Sequence, residues 1–168
     1  TATKSVTYNG VIYTATIKGF IATDNGITIS GNDIQTYGSR NFGPKYNVNG
    51  TNYKEVLYRT DANVLSGFQK INYSLQLSAT RNGVTLPIEG VIFDAESTAT
   101  AEYLLFTTNG SAFKMIDKTG TTPMSSTYAT GEGTKTIKVI NSEAENSPVG
   151  MYSTYGRNVT INTEFGLN

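Results

Sequence analysis

KINYSLQLSA, residues 70–79, alternates without a break. Ile71, Tyr73, Leu75, Leu77 and Ala79 point one way; Asn72, Ser74, Gln76 and Ser78 point the other. Successive side chains of an extended chain leave opposite faces, so a period of two means a strand with one face buried and one wet. The rest of the chain carries almost no pattern of threes and fours, the mark of an amphipathic helix.

Strand signals recur on both sides of this segment. SVTYNGVIYTATI (5–17) sets Asn9-Gly10 between β-formers, the strongest short hairpin signal, and GITIS (26–30) follows the turn Asp24-Asn25-Gly26. After residue 79, Asn82-Gly83 turns the chain and Pro87 interrupts any ladder, so 84–87 reads as an edge or the start of a new strand and 88–93 as the strand itself. EYLLFTTNGSAFKMI (102–116) reads as a second hairpin about Asn109-Gly110, with Leu105, Phe113 and Met115 in the core. TKTIKVI (134–140) and NVTINTEF (158–165) are further strands; 117–133 and 141–156 read as long polar loops. About ten short strands with closely spaced turns predict an all-β fold, an antiparallel β-sandwich or jelly roll, with a barrel as the alternative.

The chain's 168 residues suit one domain, 1–168, large enough to be stable without a disulfide or a structural metal. Lys plus Arg and Asp plus Glu both number 13, so no basic footprint for nucleic acid exists. No stretch of roughly 18 apolar residues is present, so membrane insertion by a helix is not expected. The opening Thr-Ala-Thr-Lys reads as a mature domain or a piece of a larger surface protein. Cysteine is absent and Thr, Asn, Gly and Tyr abound, as in bacterial surface or secreted domains. With no His, Cys or Trp, neither a Ser-His-Asp triad nor a Cys-His pair nor a conventional zinc site can be built. Acid–base work would fall to Asp, Glu, Lys or Tyr, and a metal site would be oxygen-lined, which means calcium or magnesium.

LPIEGVIFDAESTATAEYLLFTTNGSAFKMID (86–117), with SGFQKINYSLQLSATRNG (66–83) before it, resembles the ligand-binding, non-repetitive domain of CshA-type fibrillar adhesins. The shared features are a strand leading into an acidic turn, a strand begun by glutamate, and the TTNG hairpin. One departure is Phe113, where the family pattern has Trp; residues 1–60 read only as generic β-sequence. The resemblance implies a lectin-like β-sandwich at the tip of an adhesin of the bacterial cell surface, extracellular, binding a host glycan or matrix glycoprotein; the missing catalytic residue types point to recognition without catalysis, and the isolated domain is expected to be monomeric.

Three carboxylates, Asp94, Glu96 and Glu102, crowd one short stretch of a chain that is only 15% charged. They would accept hydrogen bonds from sugar hydroxyls, or Asp94 and Glu96 would ligate calcium, although the spacing is not that of an EF-hand. The plainer reading is that Asp94 caps a turn and Glu96 is solvated. The loop 35–53 carries Tyr37 and Arg40 among Gly and Asn, and GMYSTYGRN (150–158) carries Tyr152, Tyr155 and Arg157. Rigid aromatic area beside adaptable polar groups is how paratopes bind, while the plain alternative is that these rings close the core. The candidate binding residues are therefore Asp94, Glu96, Asn109, Tyr37, Arg40, Tyr152, Tyr155 and Arg157, forming one site if their loops share an end. Asn-x-Ser/Thr sequons begin at Asn49, Asn72, Asn109 and Asn158, and in a chain this rich in Asn and Thr they arise by chance.

Three other functions compete with recognition. A structural stalk domain of a surface fibre is one; some such domains carry a Lys–Asn isopeptide bond, which Lys70 or Lys114 could supply with a strand Asn. A glycosidase would use Asp94 and Glu96 about 5–10 Å apart. A fibre subunit would donate TATKSVTY (1–8) as a strand.

Overall fold

A computed structural model describes residues 2–23, 28–29, 35–37, 47–48, 51–52, 55–57, 69–94, 98, 100, 102–141 and 147–167. The elements are β1 (Ala2–Tyr8), β2 (Val11–Thr23), β3 (Thr28–Ile29), β4 (Gln35–Tyr37), β5 (Asn47–Val48), β6 (Thr51–Asn52), β7 (Glu55–Leu57) and β8 (Gln69–Arg81). There follow β9 (Val84–Leu86), β10 (Ile88–Ile92), β11 (Glu102–Thr108), β12 (Lys114–Lys118), β13 (Ala129–Thr130), β14 (Thr136–Val139), β15 (Gly150–Gly156) and β16 (Val159–Leu167). The expected all-β class holds, and the pairings among the described strands are antiparallel.

A large sheet runs β1-β2-β8-β16-β11-β14-β13, with β3 on β2 and β9 on β8; a small sheet runs β10-β15-β12. Two short pairs, β4-β7 and β5-β6, complete the described strands. One core joins the two sheets. The small sheet supplies Ile92 and Tyr152, the large sheet Phe106, Ile137, Val139, Val159 and Ile161, and Phe113 comes from the chain between them. Leu77 of β8 packs against this cluster, as the alternation of 70–79 requires, and Gln76 on the opposite face is exposed.

On the opposite face of the large sheet, polar side chains pair across strands. Thr3 and Thr16 hydroxyls lie 3.1 Å apart, Ser5 and Thr14 2.9 Å apart, and the Ser74 hydroxyl donates to the Asn162 amide oxygen. Such cross-strand pairs each stabilise a sheet by a few tenths of a kcal/mol to about 1 kcal/mol. ATKSVTY (2–8) is thus a strand of the chain's own sheet, paired with β2 from Ala2 to Tyr8.

Two of the Asn-Gly signals are hairpins. Asn9 and Gly10 take φ of 48° and 72°, and Asn82 and Gly83 take 50° and 77°. Both central residues of a type I′ turn need positive φ, which Asn and Gly tolerate best. The third signal is not a hairpin. β11 is flanked on both sides, by β16 and β14, so no edge is left for β12, which pairs with β15 in the other sheet. Neither Asn109 nor Gly110 has a positive φ; the segment is a corner where the chain changes sheets. Glycine is needed there for room, since a Cβ on Gly110 would come 2.6 Å from Thr154 Oγ1 and 3.0 Å from the Tyr155 carbonyl oxygen.

Pro87 marks a second change of sheet, between β9 and β10. Residues 150–156, expected as loop, form β15, the middle strand of the small sheet. Tyr152, Ser153 and Thr154 are all buried there, so no alternation betrays the strand. Likewise 117–133 contains the end of β12 and all of β13. Leu105 is only half-buried, because Leu104 and Phe106 take the core-facing register of β11.

Truncating Phe113, 1% exposed, to Ala should cost about 3–5 kcal/mol in urea unfolding. Alkali should weaken the fold too. Burial pushes the phenols of Tyr73 and Tyr152 above their ordinary 10.0, with the charges of Asp94 and Glu132 respectively adding to it, while a Thr163 hydrogen bond partly offsets the shift at Tyr73. Since the unfolded chain gives up these protons first, stability is whole below about pH 10 and falls as pH rises beyond it. Urea midpoints measured from pH 8 to pH 11 should show that decline, and Tyr152→Phe should flatten it.

Candidate functional site

Strand register divides the candidate residues between two ends of the molecule. Asn109, Tyr155 and Arg157 come together at one end. The corner after β11 is stitched to the end of β15: Ser111 N–H donates to the Tyr155 carbonyl at 2.7 Å, Tyr155 N–H to Ser111 Oγ at 3.0 Å, and the Thr154 hydroxyl to the Ser111 carbonyl at 2.7 Å. Asn109 ties the same corner to the β15–β16 turn. Its Oδ1 accepts from Thr160 N–H at 2.7 Å and its Nδ2 donates to the Asn158 carbonyl at 3.2 Å. The amide is therefore a brace between two turns, although the residue itself is exposed.

The brace leaves other side chains at liberty at this end. Tyr155 is 56% exposed and Arg157 is exposed at the turn. The Asn9-Gly10 and Asn82-Gly83 turns lie at the same end, because Ile12 pairs with Thr80 and Leu77 with Val159. Arg81 Nη2 reaches the Asn9 carbonyl at 3.4 Å, and Tyr8, 67% exposed, flanks that turn. Tyr8 was not among the candidate residues; its position beside an Asn-Gly hairpin was the signal available.

Asp94 lies at the other end. Glu89 is opposite Tyr155 in the β10–β15 ladder, and Asp94 is five residues farther along. At about 3.3 Å per residue this is on the order of 15 Å away. The carboxylate is 8% exposed and accepts a 2.5 Å hydrogen bond from the Thr98 hydroxyl. Tyr152 also departs from the expected surface, being 2% exposed in the core. One recess holding Asp94, Tyr152 and Tyr155 together is not what the register builds.

Glu96 and Arg40 lie outside the described residues; Tyr37 is placed only as backbone, opposite Glu55 in β4-β7. Among the described residues no three Asp or Glu gather as a cation set. Glu102, the third carboxylate of the acidic stretch, begins β11 opposite Leu167. Lys114 is exposed, and the side chain of Lys70 is outside the described set.

The family profile of the surface adhesin CshA non-repetitive domain 2 matches residues 1–167. The chain belongs to this CshA domain family. No curated protein and no solved structure matches it. Membership places this CshA-type domain on the bacterial cell surface, as part of an adhesin. The matched range takes in the first 60 residues, beyond the central segment that carried the resemblance.

Two substitutions separate brace from surface. Asn109→Ala, which removes two hydrogen bonds, should lower stability by about 1–2 kcal/mol in urea unfolding. Tyr155→Ala should stay within about 0.5 kcal/mol of the parent.

Proposed function

We propose that the domain is a lectin-like β-sandwich, one folded unit, that binds a host glycan or matrix glycoprotein without chemistry of its own. Membership in a surface-adhesin family carries the reading. The end that gathers Tyr155, Arg157 and Asn109 supports it as the contact surface. An exposed phenol offers a flat apolar face for a sugar ring or a peptide, and guanidinium offers five donors in a fixed fork. The hydrogen-bonded corner beneath holds these groups in place before the ligand arrives, which lowers the entropy lost on binding. Asp94, spent on Thr98, supports that surface only from the far end of the small sheet.

A glycan array and a fibronectin-binding assay on the folded domain test the proposal. Binding in one of them should drop about tenfold or more in the Tyr155→Ala, Arg157→Ala double variant with the melting temperature unchanged. Silence of the parent in both assays, or full binding by the double variant, contradicts it.

A further inference from the structure

Where β12 and β13 form the outer edges of their sheets, a cavity of about 410 Å³ opens, away from the end that carries Tyr155. Its lining includes Met115, Met124, Ser125, Ser126, Glu132 and Tyr152. This is the size of a small-ligand pocket.

Three features give it a chemistry. Tyr152 is 2% exposed, and its hydroxyl makes no hydrogen bond with any other described residue. A buried hydroxyl without a partner is costly, and native structures supply one from protein, water or ligand. The tip of the phenol rests over Gly150, where a Cβ would come 2.6 Å from the hydroxyl oxygen. Glu132 Oε1 accepts from Met115 N–H at 3.1 Å, which fixes an exposed carboxylate at the cavity and leaves its other oxygen open. Met115 and Met124 are half-buried, and thioether chains form an apolar wall that adapts to an unbranched stem.

We infer that this cavity takes a basic side chain, lysine or arginine, presented by a protein partner. The methylene stem lies along Met115 and Met124, the cationic head meets Glu132, and one N–H donates to the Tyr152 hydroxyl oxygen. Long basic side chains bury stems in this way while their heads find charge. The cavity's chemistry stands alone; only the origin of the side chain, a host protein, rests on the adhesive reading.

The chain's methionines number three, Met115, Met124 and Met151, and the last lies opposite Asp117 in the β12–β15 ladder, outside the cavity lining. Their labelled methyl groups in NMR report occupancy with an internal control. The probes are Nα-acetyl-lysine methylamide, its arginine counterpart, the uncharged norleucine counterpart, and methyl glucoside. One or both cationic probes should shift the Met115 and Met124 methyls saturably and leave Met151 still; the tighter of the two names the head group. Glu132→Gln keeps the acceptor for Met115 N–H and loses the charge, so it should weaken that binding about threefold to fivefold. No saturable shift with either cation overturns the assignment. Equal shifts with norleucine or methyl glucoside, or unchanged affinity in Glu132→Gln, overturn it too. A domain silent in adhesion assays that still takes a cationic probe retains the cavity and loses the adhesive reading.

Discussion

Burial of Phe113 between two sheets is the constraint on which the rest depends. It lies in the connection that leaves β11 in the large sheet and enters β12 in the small one, and only 1% of it reaches solvent. Its backbone is held as firmly as its ring: Phe113 N–H donates to the Thr134 carbonyl at 2.7 Å, and its carbonyl accepts from Gly133 N–H at 2.9 Å. A phenylalanine buries on the order of 150–250 Å², one of the largest contributions a single residue makes to a core. Around it close Tyr152 from the small sheet and Ile137 and Ile161 from the large one.

The same sheet change shapes the candidate surface. To carry Phe113 inward, the chain turns a corner at 109–111, and that corner must satisfy its backbone without a hairpin ladder. It does so by borrowing from β15 and β16 through Ser111 and Asn109, and within itself, where the Thr108 hydroxyl accepts from Gly110 N–H at 2.9 Å. The hydrogen bonds that close the corner therefore also fix the β15–β16 turn, and with it Tyr155 and Arg157. Frame and exposed side chains meet in one network, in which Asn109 serves the frame and Tyr155 and Arg157 face outward.

How much of this was legible follows from which residues carry one signal and which carry two. Residues 70–79 alternate because β8 has one core face and one polar face, and Asn9-Gly10 and Asn82-Gly83 turn because their φ values demand those residues. Asn109-Gly110 looks the same on paper, yet there glycine answers a close approach by Thr154 and Tyr155. Only the filled edges of β11, a long-range fact, distinguish the cases. β15 escaped notice because both its faces are covered over 152–154 and glycines bound it, which imitates a loop. The acidic stretch gave a true local signal of a strand that ends just before Asp94. What it withheld was the register, which sets that carboxylate and Tyr155 at opposite ends of the small sheet. Glu132 and Met124 were hidden for a related reason: they sit in a polar segment whose partner, Tyr152, is twenty or more residues away in sequence.

Native-state hydrogen exchange tests the central claim most directly, because it reads whether the two sheets stand or fall as one. If Phe113 and its neighbours weld them together, slow amides in β12 and β15 will open with the same free energy and denaturant dependence as those in β8 and β16. A small sheet that exchanges at lower free energy, with a slope of its own while β8 and β16 stay closed, would mean that the shared core does not hold the molecule together.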